Sequence, residues 1–173
     1  MDMIPLRYRF TWILVATLAQ ALPVSADGTA AALYKSGTLA VEVAGPDVSM
    51  QLRLPMTRAD ASTAGTQSLT VEEVVARLKA ADKLFVFPEK ARCQVENANA
   101  FAVDAQGKPT KADGNIQAMY RFHCEGATSA RVDTLGVKLF GNLPGLDKLK
   151  LQLATDKGES TLVLTPASGD VAL

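Results

Sequence analysis

From Val48 to Leu54 apolar and polar residues alternate without a break: Val48, Met50, Leu52 and Leu54 fall on one side of an extended backbone, Ser49, Gln51 and Arg53 on the other. Such a segment is stable as a strand with one covered face and one wet face. Thr38 to Ala44 alternates in the same way, and Gly45-Pro46-Asp47 between the two is a turn signal, so 38–54 is expected to be a hairpin closed by Pro55. The pattern returns in 92–103 (RCQVENANAFAV), in 115–125 (NIQAMYRFHCE), at Leu149, Leu151 and Leu153 against Lys150 and Gln152, and in Ser160–Thr165, where Leu162 and Leu164 read as buried. Leu135 to Phe140 reads as a further strand leading into a turn or short helix at Asn142–Asp147, and Val171–Leu173 as a short edge strand.

One helix stands out among these strands. Thr70 followed three residues later by Glu73 is a capping-box pattern, and Val71, Val74, Val75 and Leu78 recur at helical spacing. Pro88 stops any continuation from Phe85 and Phe87. Residues 56–68 and 104–114 are small, polar and rich in turn residues, as loops are. Hairpin-length connections favour antiparallel pairing. The expectation is a single α+β domain: a mostly antiparallel sheet of about six or seven strands, one main helix and one disulfide. Its span is 37–173, with 27–36 as a flexible lead-in.

The first 26 residues read as an export signal. Arg7 and Arg9 make a basic start, Thr11 to Leu22 is apolar, and Val24-Ser25-Ala26 supplies small residues for cleavage after Ala26. An uncleaved anchor is the alternative, but the apolar run is short of the ~20 residues that span a bilayer, and Pro23 ends it. A lipid anchor would need a cysteine near the cleavage site, and none is there. The expected protein is soluble and periplasmic, with no membrane insertion after cleavage. The whole chain has 18 basic and 18 acidic residues, and the signal removes Arg7, Arg9 and Asp2, so the exported part carries a net charge of −1. That is no footprint for nucleic acid or an anionic membrane.

Cys93 and Cys124 are the only cysteines. In an oxidising compartment an even pair forms a disulfide, and each sits among residues that read as inward-facing: Cys93 with Val95, Cys124 with Ile116, Tyr120 and Phe122. Buried free thiols or a redox pair are the alternatives, but a redox pair has close spacing, as in CxxC. The bridge would stabilise the fold by roughly 3–4 kcal/mol.

The search for chemistry turns on a single histidine, His123. Beside Cys124 it suggests a Cys–His nucleophile, yet neighbours on a strand point to opposite faces. A disulfide thiol cannot attack either. His123 and Glu125 share a strand face and are the candidate metal ligands, but two ligands are too few for a zinc tetrahedron. An exposed histidine paired with a nearby acid is the simpler reading. No phosphate loop is present, since 141–145 lacks the required spacing and lysine. Tyr120, Phe122 and Phe140 read as core. No nucleophile–base pair or cofactor motif is visible, so the protein is not expected to be an enzyme.

Several motifs occur in a telling order: a Phe87-Pro88 pair before the first cysteine, Tyr120-x-Phe122-x-Cys124, then Leu139-Phe140 leading into Pro144-Gly145-Leu146, a strand, and a closing Leu164-Thr165-Pro166. In this order the chain resembles the ZrgA-type periplasmic zinc-binding family, and the hairpin at 38–55 is similar too. The resemblance implies an exported, non-catalytic protein of zinc acquisition or storage in Gram-negative bacteria, with a periplasmic protein or metal transporter as partner; the residues themselves point to no cofactor, and zinc is implied by the resemblance alone. It also implies histidines: a cluster near the mature N-terminus, another before the proline ending the first hairpin, and a long His/Asp-rich insertion between the cysteine strands. This chain has Thr29 to Tyr34, Arg53-Leu54 and a short histidine-free connector at those places. His123 falls at a variable position of Tyr-x-Phe-x-Cys and inherits no role. The expectation is zinc binding that is weak or lost; the alternative is a binding or structural module working through a protein partner without metal.

Overall fold

The computed structural model describes residues 31–59, 69–110, 114–125 and 132–173. The stretch read as an export signal, with cleavage expected after Ala26, and most of the loop read at 56–68 lie outside the described residues. The chain runs β1 (Ala31–Leu33), β2 (Ser36–Ala44), β3 (Asp47–Ala59), α1 (Val71–Leu78), α2 (Ala81–Leu84), β4 (Phe85–Val86), a 3-10 turn (Glu89–Ala91), β5 (Cys93–Val103), β6 (Gly114–Cys124), β7 (Thr134–Val137), α3 (Leu139–Asn142), β8 (Lys148–Thr155), β9 (Gly158–Leu164) and β10 (Asp170–Ala172).

The alternating segments become the main sheet, in the order β5-β6-β3-β2-β8-β9, with β1 paired to the far end of β3. β2 and β3 form the expected hairpin, Thr38 opposite Arg53 and Ala44 opposite Asp47. Gly45 takes φ +61 at the turn, a conformation that favours glycine. Leu39, Leu52 and Leu151 are fully buried side by side. The second layer holds the helices and a small sheet, β10-β7-β4. Its Phe85, Leu135, Val137 and Val171 join the same core cluster as the main-sheet leucines. The result is the expected α+β arrangement: one face of the main sheet covered, the other polar.

The capping box forms as read. Thr70 Oγ1 accepts from the Glu73 N–H at 3.1 Å, and the Glu73 carboxylate accepts from the Thr70 N–H at 2.8 Å. These two bonds satisfy orphan donors of the first helical turn, while Val71, Val74 and Leu78 go into the core. At the other end of α1 the Tyr120 hydroxyl donates to the Leu78 carbonyl at 2.9 Å, tying helix to sheet. The second buried phenol, Tyr34, has no hydrogen-bond partner among the described residues, and burial pushes it up to about 12. Two changes that each delete one oxygen therefore diverge. Tyr120→Phe is expected to cost about 1–2 kcal/mol, because it orphans a helix carbonyl, whereas Tyr34→Phe is expected to be neutral or stabilising. Paired urea unfolding curves check this; equal losses in both variants would contradict it.

Four details depart from the sequence reading. The lead-in expected to be flexible over 27–36 is ordered from Ala31: β1 pairs Ala31–Leu33 with Ala59–Thr57, the Ala32 N–H donates to the Leu69 carbonyl at 2.8 Å, and Ala32 and Tyr34 are buried. Pro55 does not close the hairpin, and β3 continues to Ala59. Pro55 falls between the last residue paired to β2, Arg53, and the last paired to β1, Thr57, where a missing N–H matters least. Pairing is not antiparallel throughout, since β8 lies parallel to β2, with Leu39 opposite Leu151. β8 reaches β2 by a long crossover through the second layer, which is the connection a parallel pair requires. Finally, Leu162 and Val95, read as inward-facing, are each 43% exposed. Leu162 sits on the sheet's edge strand, and Val95 at a register shift between Val95 and Asn97.

Candidate functional site

β5 and β6 pair with Cys93 directly opposite Cys124, and the two form a disulfide. Arg92, at φ +47, turns the chain out of the 3-10 turn and into β5. Cys124 is fully buried, and Cys93 is half-buried. Beside them an aromatic group packs edge to face: Phe85 with Tyr120 at 4.9 Å between ring centres, and Phe87 with Phe122 at 4.9 Å. Tyr120 and Phe122 are core, as read, and Phe140 packs against it. Both thiols are consumed in the bridge, so neither is free as nucleophile or ligand.

His123 takes the other face of β6. Register places it between Gln94 of β5 and Asp47 of β3. Its Nδ1 lies 2.9 Å from Asp47 Oδ1 on the protein surface. The Cys124 N–H donates to the Pro46 carbonyl at 2.8 Å, which fixes this end of β6 against the hairpin turn that carries Asp47. Glu125 acts on the imidazole only through its charge, as does Glu96. The sequence places Glu125 beside His123; the structure gives the imidazole to Asp47. Asp47 was legible only as a turn residue, because its place opposite His123 depends on β3 and β6 being neighbours.

The Asp47 hydrogen bond raises the His123 pKa above its ordinary 6.5, against an opposing desolvation effect and with help from the charges of Asp47, Glu96 and Glu125. The pair's contribution to stability is therefore fully present below the unfolded imidazole's value and is lost as pH rises through the folded one. NMR titration is expected to show His123 titrating above 6.5, and Asp47→Asn to lower it more than Glu125→Gln does. A wild-type value at or below that of a free imidazole would contradict the pairing.

The described part of the connector between the cysteine strands, 104–110, folds as a closed turn. Asp104 Oδ1 accepts from the N–H groups of Gln106 and Lys108, both at 2.9 Å, and Gly107 takes φ +80. Asp104 thus holds its own loop, as aspartates at such turns do; Asp113 lies outside the described residues. No group of three or more His, Cys, Asp or Glu side chains is placed to hold a metal ion among the described residues. His123 with Asp47 offers two donors, enough for a surface contact with a divalent cation and short of the closed tetrahedron of a structural zinc site.

An open concave feature lies on the polar face of the main sheet. Register sets Asn97, Arg121, Ser49 and Glu42 in one row across four strands, and Asn99, Met119, Gln51, Ala40 and Gln152 in the next. Together they floor an open groove of about 960 Å³, with Glu159, Ser160 and Thr161 at its β9 side. It offers amides, hydroxyls and mixed charges, with no imidazole or thiol.

No helix among the described residues is long and apolar enough to cross a membrane. None of the curated proteins matches the chain. Residues 35–173 match the family described as ZrgA family zinc uptake protein, a span that takes in β2 to β10 and both cysteines. This chain belongs to the ZrgA family of zinc uptake proteins.

Proposed function

We propose that the protein is an exported, non-enzymatic accessory of zinc uptake whose own grip on zinc is weak or absent, acting in the periplasm through a partner such as a metal transporter. Family membership supports the link to zinc. The Cys93–Cys124 disulfide fits an oxidising compartment. The observation that carries the weak-binding part is the donor inventory. The chain has one histidine, it lies 2.9 Å from Asp47 Oδ1, and its two thiols are joined to each other. High zinc affinity needs several convergent nitrogen or sulfur donors, and lone surface carboxylates favour harder cations. The same inventory argues against a Cys–His nucleophile pair, because both thiols are joined to each other.

A second reading keeps the scaffold and drops the metal: a module whose polar sheet face binds a protein partner. The groove over Gln51, Met119 and Arg121 favours it. Two measurements separate the readings. Deleting the gene is expected to raise the zinc requirement for growth, and elemental analysis of the protein isolated from cells is expected to find far less than one zinc per chain. Stoichiometric zinc retained through purification would overturn the weak-binding claim. Growth indifferent to zinc, with a co-purifying protein, would favour the second reading.

A further inference from the structure

The main sheet ends in two edges that are finished very differently. At β5 the register shifts between Val95 and Asn97, and the connector folds back so that Pro109 bridges Val103 and the Thr110 N–H donates to the Ala102 carbonyl at 3.0 Å. A bulge and an adjacent proline are the usual means of making an edge unable to pair. β9 has neither. Its register with β8 is unbroken from Gly158 to Leu164, it contains no proline, and its one charge, Glu159, lies near one end. Among the described residues no strand pairs with its outer side. Two large apolar side chains stand exposed there on opposite faces, Leu162 at 43% and Val163 at 64%. Single exposed apolar residues are ordinary. An adjacent pair on an unprotected, regular edge strand is the pattern that invites another strand.

We propose that β9 is the seam of a homodimer, two copies joining antiparallel about a two-fold axis through Thr161. That register pairs every residue of β9: Gly158 faces Leu164, Glu159 faces Val163, and Ser160 faces Leu162. No like charges meet, since each Glu159 lies opposite the partner's Val163. Self-complementarity of this kind is what a two-fold interface demands, and it selects a second copy over a foreign strand. An axis perpendicular to the sheet also keeps the polar faces together. Glu159, Ser160 and Thr161, at one side of the groove, would then lie at its centre, in a surface shared by both copies. Strand pairing alone buries less area than a standard interface, so the dimer is reversible.

Sedimentation of the purified protein from micromolar to millimolar concentration tests this. The mean mass is expected to climb towards twice that of the monomer. Val163→Glu, which sets a carboxylate opposite the partner's Glu159, is expected to remain monomeric throughout, with circular dichroism and melting temperature of the monomer unchanged because the side chain is exposed. Thr161→Cys, facing its own copy, is expected to give a dimer that reductant releases, while Gln152→Cys, one strand inward, does not. A wild-type mass that never rises overturns the proposal. So does a Val163→Glu variant that dimerises as strongly as wild type, or equal cross-linking of the two cysteine variants.

Discussion

Replacing Cys93 and Cys124 together by alanine is expected to lower the stability of the protein by about 3–4 kcal/mol. The two residues are 31 apart in sequence and directly opposite in the register of β5 and β6. In the unfolded chain the bridge closes a loop of that length, and in the folded chain it joins strands that already pair. Most of its effect therefore comes through the unfolded state. The aromatic packing of Phe85, Phe87, Tyr120 and Phe122 rests beside the bridge and holds the strands once formed. The alanine pair is thus expected to fold, with a lower denaturation midpoint and more exposure of its cysteine strands to hydrogen exchange. Denaturant unfolding of the oxidised wild type against the double variant measures it. A loss below about 1 kcal/mol would mean that the unfolded chain is already ordered around these strands.

Leu39→Ala is expected to cost about 3–5 kcal/mol, as large a loss as the disulfide or larger. Leu39 lies at the middle of β2, opposite Leu52 on one side and Leu151 on the other, and all three are fully buried. Flanking strands on both sides keep the site from collapsing into the space left, which puts the change towards the costly end of such truncations. Leu162→Ala removes the same atoms from an edge residue that is 43% exposed and is expected to cost under about 1 kcal/mol. Thermal or urea unfolding of the two variants side by side reads the difference. Equal losses would place the core elsewhere than the sheet centre.

The contrast between those two leucines shows what alternation can and cannot say. The period-two pattern of Val48–Leu54 and of Leu149–Leu153 fixed which residues share a face, and those faces are buried. The capping box at Thr70 and Glu73 was legible because its partners lie three residues apart. The pattern at Ser160–Thr165 assigned Leu162 to the same face as Leu164, but could not say that only Leu164 of the two would be covered. Nor could local sequence foretell the parallel β2–β8 pair, since three further strands of the same sheet, β3, β5 and β6, lie between the two in sequence. β1 was missed because its alanines carry little hydrophobic signal, although Ala32 and Tyr34 anchor it in the core. At the site, the outward face of His123 followed from its position between Phe122 and Cys124. Its partner did not, because Asp47 is brought to it by β3, far away in sequence.

The central claim is that this scaffold belongs to a zinc-uptake family yet carries few groups able to grip zinc. Calorimetric titration of zinc into the metal-stripped protein at neutral pH tests it most directly. The expected result is no binding tighter than the micromolar range, with any weak heat diminished by His123→Ala. A stoichiometric submicromolar site would contradict the account, whichever residues proved to form it.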